Sequence, residues 1–172
     1  SYTGSINWTA TQPSTYNFTA YVSPVPGEEN AANNLETALV KICYVRSYTR
    51  NQQLSDGNAM GWHADEASWG YTLPFDFPFY GTFYRTIYIS SNGLITFTGP
   101  DQNDTESINA LTNKLAVAPA WHKWYINESY GIYVGQPDLA HVIIRWKAHD
   151  NSSTVANFAA ALGADGVIQL LY

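Results

Sequence analysis

The sequence has little cysteine, little charge and no long apolar run. Its 172 residues include one cysteine, Cys43, so an internal disulfide is excluded and the fold must be held by packing. Charged residues make up 13%, and 8 basic against 14 acidic side chains give a net charge of −6. This balance argues against nucleic acid or an anionic membrane as a partner. No apolar run approaches the roughly 18 residues that cross a bilayer, so no membrane insertion is expected.

Hydrophobic and aromatic residues are abundant, at 45% and 15% of the chain. Such a chain can bury enough apolar surface to offset its ordering entropy, which excludes disorder. Apolar residues recur with a period of two, as in Tyr16/Phe18/Ala20 and Val142/Ile144/Trp146, and turn residues separate these runs. The pattern predicts an all-β protein, an antiparallel β-sandwich with an additional N-terminal strand segment. One helical turn is expected, over residues 106–111.

The alternation predicts two regions. Residues 1–50 form the N-terminal strand segment, with strands at 6–10, 16–22 and 35–48, and a polar stretch separates them from a sandwich over residues 60–172. Asn92-Gly93 and Asp165-Gly166 are typical of type I′ hairpin turns. Trp146 is expected in the core on the same strand face as Val142 and Ile144. Strands after the first hairpin are predicted at 73–79, 86–90, 93–97, 115–118, 131–134, 141–146, 157–162 and 167–172.

Five Asn-x-Ser/Thr sequons indicate the compartment. They lie at Asn7, Asn17, Asn103, Asn127 and Asn151, about twice the number expected by chance from the composition. Asn7 and Asn17 alternate with apolar neighbours, so both are expected to face away from the apolar side of their strands. We therefore expect an extracellular or cell-surface chain that carries N-linked glycans. The start, Ser-Tyr-Thr-Gly, has neither Met nor a signal peptide, which suggests a processed or excised piece.

No motif predicts catalysis. The four histidines lack zinc-ligand spacing and no Gly-x-Ser-x-Gly motif is present, so an enzyme is not expected. No cofactor is expected either, apart from a possible calcium ion at Asp101, Asp104 and Glu106, for which an exposed polar loop is the alternative. Trp121, His122 and Trp124 form an aromatic group that predicts either core packing or a surface that stacks on a sugar. Cys43 is expected to be a buried core residue.

The first segment resembles the end of a cell-adhesion-related β-sandwich module of the CARDB type. The resemblance implies the last three strands of such a module, which leave an apolar face half-covered and an edge unpaired. It is carried by Trp8-Thr9, the run 16–22, Pro26-Gly27-Glu28-Glu29-Asn30, Asn33-Asn34 and a closing strand through Val40 and Ile42.

Residues 60–172 resemble the β-sandwich repeat of nidogen-like and plexin-related extracellular proteins. Such domains are non-catalytic adhesion or matrix modules, so the resemblance implies binding or scaffolding. The matching runs are 73–81 (Leu-Pro-Phe-Asp-Phe-Pro-Phe-Tyr-Gly), 88–97 (Tyr-Ile-Ser-Ser-Asn-Gly-Leu-Ile-Thr-Phe), 116–121, 143–146 and 158–172.

Together these features predict an extracellular structural module, a glycosylated subunit of a homo-oligomer or filament. Residues 1–48 are expected to complete their sheet with strands from another chain. One alternative is a carbohydrate-binding or adhesion module. Others are a non-catalytic part of a secreted hydrolase, or a fragment whose missing strands lie upstream in the same protein.

Overall fold

The computed structural model of the chain describes residues 5, 7–8, 14–42, 44–45, 54 and 57–172. The Cα positions divide into two compact units, Ser1–Arg50 and Asn51–Tyr172. Cys43 and most of the predicted strand 6–10 lie outside the described residues. Asn7 and Trp8 are described and are not part of a strand.

The first unit contains an antiparallel hairpin of two strands, β1 (Ser14–Tyr21) and β2 (Leu35–Ile42). Their register runs from Ser14↔Ile42 to Tyr21↔Leu35, and a 3₁₀ turn, Ala31–Asn34, leads into β2. The predicted strand 35–48 was too long, because Tyr44 and Val45 are not in a strand. β1 begins opposite Ile42, so the described residues offer β2 no partner beyond that point.

The second unit is a β-sandwich, so the predicted all-β antiparallel fold is confirmed. One sheet has the order β11-β10-β9-β8-β3 and the other has the order β4-β5-β6-β7. A short helix, α1 (Ile108–Thr112), begins after Ser107, whose hydroxyl accepts a hydrogen bond from the Ala110 amide. The strands are β3 (Asn58–Ala59), β4 (Ser68–Phe79), β5 (Thr82–Ser90), β6 (Ile95–Thr96), β7 (Ala116–Val117), β8 (Gly131–Asp138), β9 (His141–His149), β10 (Val155–Gly163) and β11 (Ile168–Leu171).

The core lies between these two sheets, and Trp146 is its largest fully buried side chain. Val142 and Ile144 are buried on the same face of β9, which confirms the predicted register. The Trp146 indole stacks on Phe158 with ring centroids 5.3 Å apart. Its N–H donates to the Ser90 carbonyl at 2.8 Å, and this bond links β9 of one sheet to β5 of the other.

The turn types differ from those predicted. Gly93 and Gly166 have φ of +74° and +85°, but Asn92 and Asp165 do not have positive φ. A type I′ turn needs positive φ at both central residues, so the type I′ prediction was wrong at both hairpins. Each is closed by a three-residue loop ending in glycine. The two-residue turn with positive φ at both positions is Tyr80-Gly81, between β4 and β5.

Candidate functional site

The asparagines of all five sequons are exposed to solvent. Asn17 lies on β1 between the half-buried Tyr16 and Phe18, so its side chain is on the opposite face of the strand. The three sequons of the second unit, at Asn103, Asn127 and Asn151, lie in loops and turns outside the sheets. Each of the five asparagines is therefore accessible to a glycan-transferring enzyme in this structure.

Asn103 lies in the acidic loop, which we define as residues 98–107. The loop is shaped by its own polar side chains: the Asn103 amide donates to Asp101 Oδ1 at 3.0 Å, and Asn103 Oδ1 accepts from the Thr105 amide at 2.7 Å. The Asn103 carbonyl accepts a hydrogen bond from Trp121 Nε1 at 2.8 Å. These contacts fix the sequon against the Trp121 indole.

A buried asparagine ties the acidic loop to the sandwich. Asn92, read from the sequence only as a turn residue, is fully buried. Its Nδ2 donates to the Gln102 carbonyl at 3.1 Å, and its Oδ1 accepts from the Trp124 amide at 3.3 Å. The sequence could not reveal this role, because both partners are distant along the chain and bind through backbone atoms.

The three carboxylates of the predicted calcium site are held by three different side chains. Asp101 pairs with Lys114, Asp104 with Lys123, and Glu106 with His122. Among the residues that the structure describes, no three metal-ligating side chains converge. Asp101, Asp104 and Glu106 are therefore not brought together as an ion cage.

Lys123 joins two loops that no pattern in the sequence connects. Its ammonium donates to Glu66 at 2.7 Å and to Asp104 at 2.9 Å. These two carboxylates lie 57 and 19 positions before Lys123 in the sequence. Bonds to these two carboxylates raise the pKa of Lys123. The Lys123 hydrogen bond in turn lowers the pKa of Asp104, and the pKa of Glu106 is lowered by its own backbone amide and by His122.

These shifts predict acid-sensitive stability of the acidic loop. A carboxylate whose folded-state pKa is lowered stabilises the fold above its unfolded pKa, here 3.8 for Asp104, and that contribution is lost as pH falls through the folded value. We expect Lys123→Met to lower the melting temperature at pH 6–7, and the gap to wild type to narrow as the pH falls below 3.8.

Thermal melts between pH 7 and pH 3 measure this gap. The matched control is Lys147→Met, which removes an exposed lysine that pairs with no carboxylate among the described residues. A gap between Lys123→Met and wild type that stays constant to pH 3 would show that the Lys123 pairs do not stabilise the fold.

The predicted aromatic group Trp121, His122 and Trp124 is not one stacking platform. These residues lie in an irregular segment and not on a strand. Trp124 packs against the core, beside Phe158. Trp121 instead borders a groove of about 300 Å³, lined by Glu106, Ser107, Ile108, Leu111, Ala118 and Trp121.

A second aromatic pair, Trp62 and Trp69, also serves packing. Their rings stack with centroids 5.2 Å apart and an interplanar angle of 4°, and both pack against the core. Of the predicted group Trp121, His122 and Trp124, Trp121 borders the groove.

Asn127 differs from the other sequons of the second unit because its amide nitrogen is engaged. Asn127 Nδ2 donates to His149 Nε2 at 3.1 Å. The other ring nitrogen of His149 donates to the Asp150 carbonyl at 2.8 Å, and Tyr125 and Tyr130 lie against the ring. Within the described residues, the amide nitrogens of Asn103 and Asn151 have no such partner.

Comparison with known proteins gives one match. A model of the family described as NIDO related matches residues 44–172. No curated protein and no solved structure matches the chain at a significant level. A nidogen-related domain indicates an extracellular protein. Within the described part of the chain, no helix has the length and apolar character needed to span a membrane. The CARDB-type resemblance of residues 1–50 stays a prediction.

Proposed function

The chain belongs to the NIDO-related family, and on that premise we propose that it is a non-catalytic structural module. We infer that it is a glycosylated subunit of an extracellular or cell-surface filament, and that copies join by pairing strands between chains. The observation that carries this proposal is the state of the β1–β2 hairpin.

The hairpin leaves its hydrophobic residues in contact with water. Among the described residues of the first unit, the one buried side chain is Asn34, which is polar. Leu39 is 73% exposed, and further exposed hydrophobic residues of the unit are Trp8, Tyr21, Val22, Val25, Leu35, Val40, Tyr44 and Val45. A two-stranded sheet in this condition is marginal in water, so a partner surface is needed to stabilise it.

One face of the hairpin carries a cluster of aromatic side chains. Trp8 packs edge-on against Tyr16 and Phe18, with ring centroids 4.5 Å and 5.1 Å apart. The register places Tyr16 opposite Val40 and Phe18 opposite Ala38 on the same face. Asn17 lies on the other face, where a glycan would restrict any incoming strand to the aromatic side and the strand edge.

The backbone edge of β1 supplies the hydrogen-bonding groups for a further strand. The Val22 amide, directly after β1, donates to the carbonyl of Asn34, directly before β2, at 2.9 Å. Because amide directions alternate along a strand, the amides of Thr15, Asn17, Thr19 and Tyr21 point away from β2. β1 carries no charged residue, so it lacks a common protection against edge-to-edge pairing.

When β1 of one copy pairs with a different strand of the next copy, the contact is head-to-tail. Donor and acceptor surfaces then differ, and a heterologous contact that does not close into a ring produces a helical filament. A glycan on Asn17 would block the face of the hairpin opposite the aromatic side chains. Each copy would then contact the next in the same geometry. We therefore propose a filament and not a closed dimer.

Thr15→Pro tests the proposal. Proline removes an outward amide of β1, and its ring suits an edge strand, so the hairpin itself is retained. We expect wild type to form larger species with increasing concentration, and Thr15→Pro to remain dispersed. Thr15→Val, which keeps the amide, is the matched control. Sedimentation velocity measures the sizes; assembly that is equal in Thr15→Pro and wild type would contradict strand pairing through β1.

A carbohydrate-binding or adhesion module is the second candidate function. The observation in its favour is the groove beside Trp121, since an aromatic ring with nearby carboxylate and hydroxyl groups suits a sugar. Free sugars that bind to dispersed protein, with no concentration-dependent assembly, would favour this candidate over the filament subunit.

A further inference from the structure

The groove beside Trp121 is lined by both apolar and polar residues. Ile108 of α1, which lines it together with Leu111 and Ala118, is 82% exposed. Glu106 and Ser107 also line the groove; Glu106 Oε1 lies 3.0 Å from His122 Nδ1, and the Ser107 hydroxyl accepts from the Ala110 amide. Apolar carbon that is left open beside hydrogen-bonding oxygens is the surface that an amphipathic ligand such as a pyranose ring requires.

A sequon lies at the edge of this groove. Trp121 Nε1 donates to the backbone carbonyl of Asn103 at 2.8 Å, so the glycan-accepting residue is attached to the indole that borders the groove. Asn103 Oδ1 is occupied by the Thr105 amide. Nδ2, the atom that bonds to a glycan, makes no hydrogen bond within the described residues and is left for the sugar.

We propose that the first sugars of an N-linked glycan on Asn103 pack against Trp121 and occupy this groove. The inference rests on the glycosylation included in the proposed function. In the attachment step, Asn103 Nδ2 bonds to C1 of the sugar and loses one proton. The C1–O bond to the diphosphate of a lipid-linked glycan donor breaks, and a separate transferase catalyses the exchange. The groove then binds a ligand that the chain itself carries.

The surroundings of Trp121 favour this occupant. The apolar C–H face of a pyranose gains contact with the indole and with Ile108, while its hydroxyl groups reach Glu106 and Ser107. A sugar attached at Asn103 is already held beside the ring, so it loses little further freedom when it binds. A free monosaccharide would lose more freedom when it binds, and the same few contacts would have to offset that loss.

Hydroxyl-radical footprinting of glycosylated protein tests the proposal. The full chain is secreted from a eukaryotic host, and oxidation of Trp121 is measured by mass spectrometry in wild type, Asn103→Gln and Asn151→Gln. We expect Trp121 to be oxidised about threefold more slowly when Asn103 carries a glycan. Asn103→Gln removes that protection, whereas the matched control Asn151→Gln, which deletes the sequon in the turn between β9 and β10, retains it.

A second measurement uses the same samples. The rise in melting temperature that glycosylation gives to wild type should be largely lost in Asn103→Gln and retained in Asn151→Gln. Trp121→Phe keeps a ring at the groove and should retain part of the rise, while Trp121→Ala should lose it. Footprinting of Asn103→Gln does not require any change to Trp121, so it decides the matter even if Trp121→Ala fails to fold.

Three results would overturn the inference. The first is a glycan on Asn103 with Trp121 oxidised as fast as in Asn103→Gln. The second is protection of Trp121 by free N,N′-diacetylchitobiose but not by the Asn103 glycan, which would assign the groove to an external sugar. The third is an empty Asn103 sequon. If the other sequons are occupied, only this inference fails; if all five are empty, the glycosylated subunit of the proposed function fails with it.

Discussion

Trp146→Ala is expected to lower the free energy of unfolding by about 3–5 kcal/mol. The indole is fully buried between the sheets and stacks on Phe158, so alanine leaves a cavity in the centre of the core. The substitution also removes the hydrogen bond to the Ser90 carbonyl, a buried acceptor that links the two sheets. Chemical denaturation of the full chain, followed by the signal of the second unit, measures the loss.

Two further variants separate packing from general sensitivity to substitution. Trp146→Phe keeps an aromatic ring but loses the N–H, so we expect a loss of about 1–3 kcal/mol from the missing hydrogen bond and the smaller ring. The Ser90 carbonyl still accepts from the Gly93 amide at 3.3 Å. Phe83→Ala removes an aromatic side chain that is 71% exposed on β5, and its cost should stay within about 0.5 kcal/mol. Equal losses for Trp146→Ala and Phe83→Ala would contradict the placement of Trp146 in the core.

Gly93→Ala is expected to cost about 2–5 kcal/mol. Gly93 has φ of +74°, a left-handed conformation that alanine adopts at a cost of about 1–2 kcal/mol. A Cβ atom at this position would also collide with the Ala120 carbonyl oxygen and approach the Phe158 ring to 3.1 Å. Both neighbours are part of the packed sandwich, so neither moves aside without disturbing the core.

Gly61→Ala is the control for this substitution. Gly61 has φ of +67°, but a Cβ atom there meets nothing within 4 Å, so only the backbone strain of about 1–2 kcal/mol is expected. Denaturation midpoints of the two variants give the difference. Equal losses at the two positions would show that the backbone conformation, and not the contact with Ala120, decides the cost at Gly93.

The interior strands of the sandwich were readable from the sequence because their burial follows a period of two. Val142, Ile144 and Trp146 recur at every second position, and a register slip of one residue would move all three side chains to the other face of the sheet. The two-residue strand β3 was missed because Asn58 and Ala59 have no apolar pattern. Their pairing is specified by the partner strand β8 and not by their own side chains.

The candidate site was much less readable. The carboxylates 101, 104 and 106 are close along the chain, which suggested a common ion, but each has its own partner in the fold. Those partners are residues 114, 122 and 123, and no local pattern encodes such distant pairs. Trp121 and Trp124 are likewise only three residues apart, yet an irregular backbone sends one to a groove and the other to the core.

The hairpin shows where alternation alone is insufficient. The period of two correctly indicated two strands, but a strand face counts as buried only when another surface covers it. Val40 alternates as core residues do and is 40% exposed, although Tyr16 and Phe18 lie on its face of the hairpin. The covering surface must come from elsewhere, and we propose that a second copy of the chain supplies it.

Hydrogen–deuterium exchange of β1 below and above the assembly concentration tests that claim most directly. The amides of Thr15, Asn17, Thr19 and Tyr21 point away from β2, so strand pairing between chains should protect them only in the assembled protein. Peptides covering residues 14–22 are predicted to exchange more slowly above that concentration, while β9, an interior strand of the sandwich, exchanges equally in both samples. Assembled protein in which residues 14–22 exchange as fast as in dispersed protein would contradict the account.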